Sequence, residues 1–347
     1  MLGYGLSGSG KTFTLFGPDD PAVPEAWYKS SQPHDLWGIF PRLAYDLFEM
    51  SDKTCKFSMK YFQNIIDKVR DLLSPSGEEK SYKLAMPKDA EGFMDIGNVV
   101  GLKSWDELCN TFMKADARKA VSPTQFHHQY TRGHCILNLE VDKPNDNDQQ
   151  LRQRGRIYIC DLAGTEPAGH IYHAYYKKIK HPNGTIEHKL LGPHKDQRLT
   201  KTLQSQGKKI NLSLSELAQL FKKTAQALKK GKLKPGETVP GCNSSFLCKF
   251  LKGTIWKSQT YFVCAIRPEA SYLNYTFPSL VVCKNAAAIQ SGATKTTKPV
   301  RFNFAQVNRI FYVLWPGSLA VQIFSSTLNL TVIPYFCSLE RLREPLA

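Results

Sequence analysis

Near its start the chain reads Gly5-Leu6-Ser7-Gly8-Ser9-Gly10-Lys11-Thr12, which meets the spacing G-x-x-x-x-G-K-[ST] at every fixed position. Glycines at that spacing let backbone N–H groups curl around a phosphate at the start of a helix, where the helix dipole also favours negative charge. Lys11 then reaches the β- and γ-phosphates and the Thr12 hydroxyl ligates Mg²⁺. A second constellation lies far along the chain, where the apolar run Arg156-Ile157-Tyr158-Ile159-Cys160 ends in Asp161-Leu162-Ala163-Gly164-Thr165-Glu166. A carboxylate at such a strand end can hold the water shell of Mg²⁺, and the amide of Gly164 can bond the γ-phosphate. The pattern D-x-x-G is common by itself; its weight comes from the intact loop upstream.

These residues need a scaffold. Apolar, strand-like runs occur at residues 55–62, 135–141, 156–160 and 260–266, and they are expected to pair into one sheet. Helix signals alternate with them, the pattern of a layered α/β domain. Ser104 and Glu107 form a capping-box signature ahead of Leu108, Phe112 and Ala115, which predicts a helix to about residue 120. Ile210, Leu214, Leu217, Phe221, Ala225 and Leu228 recur at helical spacing and predict a second helix over 208–230, with Lys222, Lys223, Lys229 and Lys230 off its apolar stripe. Residues 17–34, 142–153 and 167–207 read as connections, the last unusually long. Met1 to Tyr4 alone precede the phosphate loop, so the loop is expected to lack its seat unless another segment supplies a strand.

Composition is that of a folded protein, with 42% hydrophobic and 22% charged residues. The formal charge of +16 is uneven: residues 177–235 hold fifteen Lys or Arg against three acids, Glu187, Asp196 and Glu216. Such a patch attracts polyanions, and charge alone does not choose among nucleic acid, anionic lipid and acidic protein. The nine cysteines include no C-x-x-C pair and read as buried thiols rather than disulfides or zinc ligands. Residues 310–339 carry no charge, but Pro316, Gly317, Asn329 and Pro334 make them a poor membrane helix, and a packed or wrongly translated segment is expected instead.

The residues quoted so far resemble one family. Asp161-Leu162-Ala163-Gly164-Thr165-Glu166 is similar to the DLAGSE of kinesins, and the stretch from Gly3 to Gly17 resembles their phosphate-loop segment. Further stretches follow in the family's order: Gly38-Ile39-Phe40-Pro41-Arg42, Lys68-Val69-Arg70-Asp71-Leu72-Leu73, Asn211-Leu212-Ser213-Leu214-Ser215-Glu216-Leu217, Val239-Pro240 with Asn243-Ser244, and Asn274-Tyr275. The resemblance spans residues 1–290, a partial motor domain, and leaves 291–347 as a tail of unknown structure. It implies an α/β phosphate-loop motor head, a central mixed sheet flanked by helices that lacks its first strands and has exposed sheet edges. It also implies an ATP-dependent microtubule motor of the cytoplasmic cytoskeleton that uses ATP and Mg²⁺. A non-motile microtubule-binding relative with weak or lost ATPase is the alternative.

The run His127-His128-Gln129-Tyr130-Thr131-Arg132-Gly133-His134 stands where kinesins carry N-x-x-S-S-R-S-H. By that resemblance Thr131 is a Mg²⁺ ligand with Thr12 and, through water, Asp161, while Arg132 pairs with Glu166. His127 and Tyr130 depart from the family pattern, and the histidines of the run are read as surface loop residues rather than a metal site. Residues 167–252 correspond to the track-binding face, with Lys229, Lys230, Lys232 and Lys234 similar to a lysine-rich loop of some kinesins. Gly241, Cys242, Ser245 and Cys248 replace family residues there and remove basic contacts. No nucleic-acid or membrane partner is expected, and without heptads after residue 290 no dimer is predicted.

Overall fold

The computed structural model describes residues 1–18, 26–81, 87–89, 92–126, 128, 130–144, 152–182, 186–234, 237, 239–254, 258–267, 269–289 and 321–325. Strand β1 (Leu2–Gly5) leads through the glycine loop into α1 (Lys11–Phe16), followed by α2 (Ile39–Met50) and the long β2 (Lys56–Ile65). Then come β3 (Lys68–Asp71), β4 (Glu79–Ser81), β5 (Val100–Leu102) and α3 (Trp105–Asp116). The short β6 (Val121–Ser122) and β7 (Tyr130–Thr131) precede β8 (His134–Pro144) and β9 (Arg152–Asp161). A ribbon of β10 (Ala174–Lys180) and β11 (Ile186–Pro193) comes before α4 (Gln197–Lys229), α5 (Phe246–Thr254), β12 (Tyr261–Ala265), α6 (Leu273–Ala287) and β13 (Val321–Ser325).

The main sheet has the order β13-β12-β1-β9-β8-β2-β3-β4, with β5 also on β2. β1 runs parallel to both of its neighbours, whereas the β8–β9 and β2–β8 pairs beside them are antiparallel, so the sheet is mixed as expected. Successive residues of a strand face opposite sides. Leu137 and Leu139 of β8 therefore pack with Leu15, Phe40, Leu108 and Phe112, the side of α1, α2 and α3. Ile136 of the same strand, with Cys160 and Cys264, packs with Ile210, Leu217 and Phe250, the side of α4, α5 and α6. Full burial of such a side chain stabilises by roughly 1.5–3 kcal/mol, so two cores clamp the sheet between them.

Several expectations are corrected. The four residues of β1 suffice to seat the loop, because β12 and β9 supply hydrogen-bond partners on both sides. The edge of β12 is not left open: β13 pairs with it antiparallel from Tyr261↔Ser325 to Ala265↔Val321, so residues 321–325 of the expected tail belong to the sheet. Apart from these five, residues 290–347 lie outside the described residues, and with them most of the uncharged stretch. No described helix is long and apolar enough to cross a membrane.

Residues 167–207 are not one long connection. They hold the β10–β11 ribbon and the first turns of α4, which begins at Gln197 rather than residue 208, with the Asp196 carboxylate accepting the Arg198 N–H at 2.9 Å. Within those added turns Gly207 lets the helix approach residue 168 closely; a Cβ there would lie 3.1 Å from that of Ala168. Residues 142–144 and 152–153 are strand, not turn. α3 has the expected cap, Ser104 Oγ accepting from Glu107 N–H at 3.2 Å, but ends at Asp116. All eight described cysteines are free thiols and six of them are buried.

Candidate functional site

The site begins with register. β1 places Gly3 opposite Asp161 of β9, and beyond the strand two further bonds continue the pairing, Leu162 N–H to Gly3 O and Thr165 N–H to Gly5 O, both 3.2 Å. The segment 161–166 therefore runs alongside the phosphate loop although Thr12 and Asp161 are 149 positions apart in sequence. At Gly5 the backbone turns out of the strand with φ +145°, a conformation that favours glycine, and a Cβ there would fall 2.0 Å from Ala265 O. Gly8 and Gly10 also have positive φ.

Lys11 is buried, and its Nζ donates to the carbonyls of Gly5 (3.0 Å) and Leu6 (2.9 Å), closing the loop on itself. Burial lowers its pKa, opposed by the carboxylates of Glu166 and Asp161. Thr12 Oγ1 donates to Asp161 Oδ2 at 2.7 Å, while the buried Asp161 Oδ1 has no partner among the described residues. Burial raises the Asp161 carboxyl above its ordinary range, with Lys11 and the Thr12 hydroxyl pulling the other way. A buried carboxylate oxygen left over beside a hydroxyl is what a hydrated divalent cation would use. Gly10 adds room, since no atom lies within 4 Å of where its Cβ would be. These donors fit a magnesium-bound polyphosphate.

Glu166 is 1% exposed and grips the loop directly. Its carboxylate accepts the Ser7 N–H at 3.0 Å and the Ser7 hydroxyl at 2.7 Å. Gly164 is the third member of this corner: a Cβ on it would lie 2.2 Å from both Ser7 Oγ and Glu166 Oε2. Behind the corner stands α4, whose Asn211 Nδ2 donates to Glu166 O at 2.7 Å.

A second tie to α4 involves a residue read from sequence as a surface histidine. His134 is 1% exposed, at the start of β8, where apolar alternation already faces inward. Its Nδ1 accepts the Ala163 N–H at 3.1 Å, so the ring proton sits on Nε2 and is donated to Ser213 Oγ at 2.9 Å. Ser213 in turn donates to Ile210 O at 2.7 Å. Burial pushes the imidazole pKa down from 6.5 to about 3. The unfolded imidazole takes up a proton below about pH 6.5 while the folded one stays neutral, so acidification through that window favours the unfolded chain. Urea unfolding at pH 7 and pH 5 is expected to show His134→Gln losing about 2 kcal/mol less stability than the wild type over that step. Equal losses in the two proteins would contradict the neutral, buried ring.

Thr131 and Arg132 make other contacts. Thr131 pairs with Val121 in the short β6–β7 hairpin, and no hydrogen bond among the described residues joins it to Thr12 or Asp161. The Arg132 side chain lies in a narrow cleft against α4, with Ile171, Leu203, Gln206, Gly207 and Ile210. Its buried Nε has no partner among the described residues, and burial together with Arg70 lowers its pKa. Among the described residues no ion pair joins Arg132 to Glu166, whose carboxylate is held by Ser7. His127 lies outside the described residues. Lys229, Lys230, Lys232 and Lys234 are all exposed at the end of α4 and just beyond it.

A family model described as Kinesin motor domain matches residues 1–181. The kinesin heavy chain of Syncephalastrum racemosum is 30% identical over 176 residues, 49% of this chain and 17% of that protein. The kinesin-like protein unc-104 of Caenorhabditis elegans is 23% identical over 312 residues, 86% of this chain and 17% of that protein. The chain thus spans a small part of the length of these relatives. Among solved structures, a two-heads-bound KIF14 dimer with AMP-PNP in complex with a microtubule has a TM-score of 0.60 at 20% identity, covering 84% of this chain and 72% of that one. A fast kinesin has a TM-score of 0.57 at 20% identity, covering 88% and 74%. At that identity the likeness speaks for the fold.

Proposed function

This chain belongs to the kinesin motor domain family, and on that premise we propose that it binds Mg²⁺ and ATP at residues 5–12 and couples hydrolysis to microtubule binding. The observation that carries the reading is one connected path: Thr12 to Asp161, Ser7 to Glu166, then Asn211 and His134 into α4, whose outer face bears exposed lysines. The loop amides and Lys11 would hold the phosphates. Thr12 and Thr131, with Asp161 through water, would hold Mg²⁺, which when bound neutralises charge on the phosphate oxygens. Asp161 and Gly164 sit on one short segment, so a change of contacts at the phosphates moves the same backbone that His134 and Asn211 grip. On this reading Arg132 would receive the Glu166 carboxylate once it leaves Ser7, a pairing supported by the contact of both segments with α4 between Leu203 and Asn211.

Residues 167–252 would form the face toward the microtubule, where Lys201, Lys208, Lys222, Lys223, Lys229, Lys230, Lys232 and Lys234 are exposed. Lysines at that density raise encounter rates with an acidic surface and do so less at high salt. The reading places the protein on microtubules of the cytoplasm.

The test is phosphate release by the purified chain with increasing microtubule concentration, in parallel with co-sedimentation in ADP and in a non-hydrolysable ATP analogue. The expected result is release at least about tenfold faster with microtubules, equivalent to roughly 1.4 kcal/mol off the barrier, and tighter co-sedimentation with the analogue. Release indifferent to microtubules would end the motor reading. The lack, among the described residues, of a hydrogen bond from Thr131 to Thr12 or Asp161 favours the second reading, a non-motile relative; co-sedimentation blind to the nucleotide, with no release, would establish that one instead.

A further inference from the structure

We infer that the β10–β11 ribbon is latched to the rest of the molecule by two pairs of histidines and comes free when those rings take up protons. The inference stands whether or not the chain hydrolyses a nucleotide. A two-stranded sheet alone is marginal in water, so docking is what keeps the ribbon in place. Ala174 N–H donates to Pro123 O at 3.0 Å, Tyr172 N–H to Gln125 Oε1 at 3.0 Å and Tyr176 Oη to Thr124 O at 2.6 Å. Along the same seam the His188 ring lies flat on that of His128, with centroids 3.8 Å and planes 12° apart. At the base of the ribbon His173, just before β10, meets His194, just after β11, edge to face at 5.1 Å, and His194 N–H donates to His173 O at 2.7 Å.

The surroundings favour neutral rings. His194 Nδ1 accepts the Asp196 N–H at 3.1 Å, a bond lost if that nitrogen is protonated. The Asp196 carboxylate, which would welcome a cation, is already engaged by Arg198 Nε at 3.1 Å and Nη2 at 3.2 Å, and Lys195 stands next in sequence. His173 faces His194 and, from the β6–β7 hairpin, Arg132; from α4 it meets only the neutral Thr200 hydroxyl, which accepts its backbone N–H at 3.1 Å. Burial, then His194, then Arg132 push its pKa down. In the stacked pair, His188 has Lys178 as its cross-strand partner, and the Tyr176 ring lies 6.1 Å from His128. Stacked imidazoles can share one proton, but two cations at that separation repel. His181 differs: it pairs with Glu187 at 3.0 Å inside the ribbon, so its protonation does not oppose docking.

The direction follows from linkage. A free imidazole takes up its proton below about pH 6.5, and rings held neutral while docked then favour release. Docking is complete above that pH and weakens below it. Each ring excluded from protonation contributes up to about tenfold between pH 7.5 and 5.5.

The experiment is hydrogen exchange of the full chain at pH 7.5 and 5.5, corrected for the intrinsic rate, read at the amides of Tyr172, Ala174 and His194. Their protection is expected to fall at least about tenfold on acidification, and at pH 5.5 to lie well below that of β8 and β9, the mark of local opening. His188→Phe combined with His194→Asn keeps a ring on His128 and an acceptor for the Asp196 N–H without titrating, and is expected to retain most of the protection at pH 5.5. His188→Phe alone is expected to retain part of it and carries the test should the double variant fail to fold. Protection indifferent to pH in the wild type, or a fall just as large in the variants, would overturn the inference. So would ribbon amides as protected as β8 and β9 at both pH values, since the ribbon would then open only when the whole chain unfolds.

Discussion

Gly5→Ala is expected to destabilise the folded chain by at least about 3 kcal/mol, read as a lower urea midpoint with an unchanged slope. Two effects add. The backbone at Gly5 has φ +145°, which a side chain resists, and the new methyl carbon would sit 2.0 Å from Ala265 O and 3.2 Å from Ser9 Oγ. Relief by small movement is blocked, because Ala265 is the last residue of β12 and is paired with Gly5 itself in the register that seats β1. β12 is in turn bonded to β13 on its other side. Gly10→Ala is the matching control: φ is +90° but nothing lies within 4 Å of the added carbon, so roughly 1 kcal/mol of backbone strain is all that is expected. If the two variants unfold at the same denaturant concentration, the close approach at Gly5 is not what holds the loop.

The contrast between those glycines shows where sequence was informative. The phosphate loop and the segment 161–166 are legible because their chemistry needs fixed residue types at fixed spacing, and the structure brings them to one place. The β8 and β9 strands are legible because they alternate between two cores. The β10–β11 ribbon is not, because its strands carry Lys177, Lys178, Lys180 and Lys189 and present no apolar face of their own. What holds it is docking: Tyr176 Oη donates to Thr124 O at 2.6 Å, and the His188 ring stacks on His128 at 3.8 Å. The Asn183-Gly184 pair between the strands is a hairpin signal that could have been used. The start of α4 was hidden by the polar run Gln204-Ser205-Gln206-Gly207, where close approach to residue 168 replaces a bulky apolar contact.

His134 illustrates a different limit. A histidine inside a polar run reads as exposed, and only the meeting of β8 with residue 163 and α4 reveals two partners for its two nitrogens. The engagement of Glu166 is likewise invisible in sequence. Residue type shows that Arg132 and Glu166 carry opposite charges, but which of several donors takes the carboxylate depends on where Ser7 lies, and β1 register decides that.

Lys11→Ala separates what the loop does for stability from what it does for chemistry. In the folded chain the ammonium is buried, and its desolvation is offset by the carbonyls of Gly5 and Leu6 and by the nearby carboxylates of Asp161 and Glu166. Removing it strips two carbonyls of a donor and leaves the buried Asp161 and Glu166 carboxylates without their nearby cation, which destabilises, while it ends the desolvation of the ammonium, which stabilises; deleting one member of a buried ionic group costs more than exchanging the whole group. The expected loss is therefore about 3 kcal/mol, a fall in melting temperature of roughly 4–5 °C for a chain of this size. Chemistry has no such compensation, because a positioned cation that meets charge developing on transferring phosphate oxygens acts in a water-poor site. Under the proposed motor function, microtubule-stimulated phosphate release is expected to fall about 10²–10³-fold, the loss typical when one preorganised donor is deleted. Release and melting measured on the same preparation decide the matter. A variant that melts far below the wild type would mean Lys11 is chiefly a structural plug for the Gly5 and Leu6 carbonyls, and a variant that melts normally yet releases phosphate at the wild-type rate would remove Lys11 from the phosphate site.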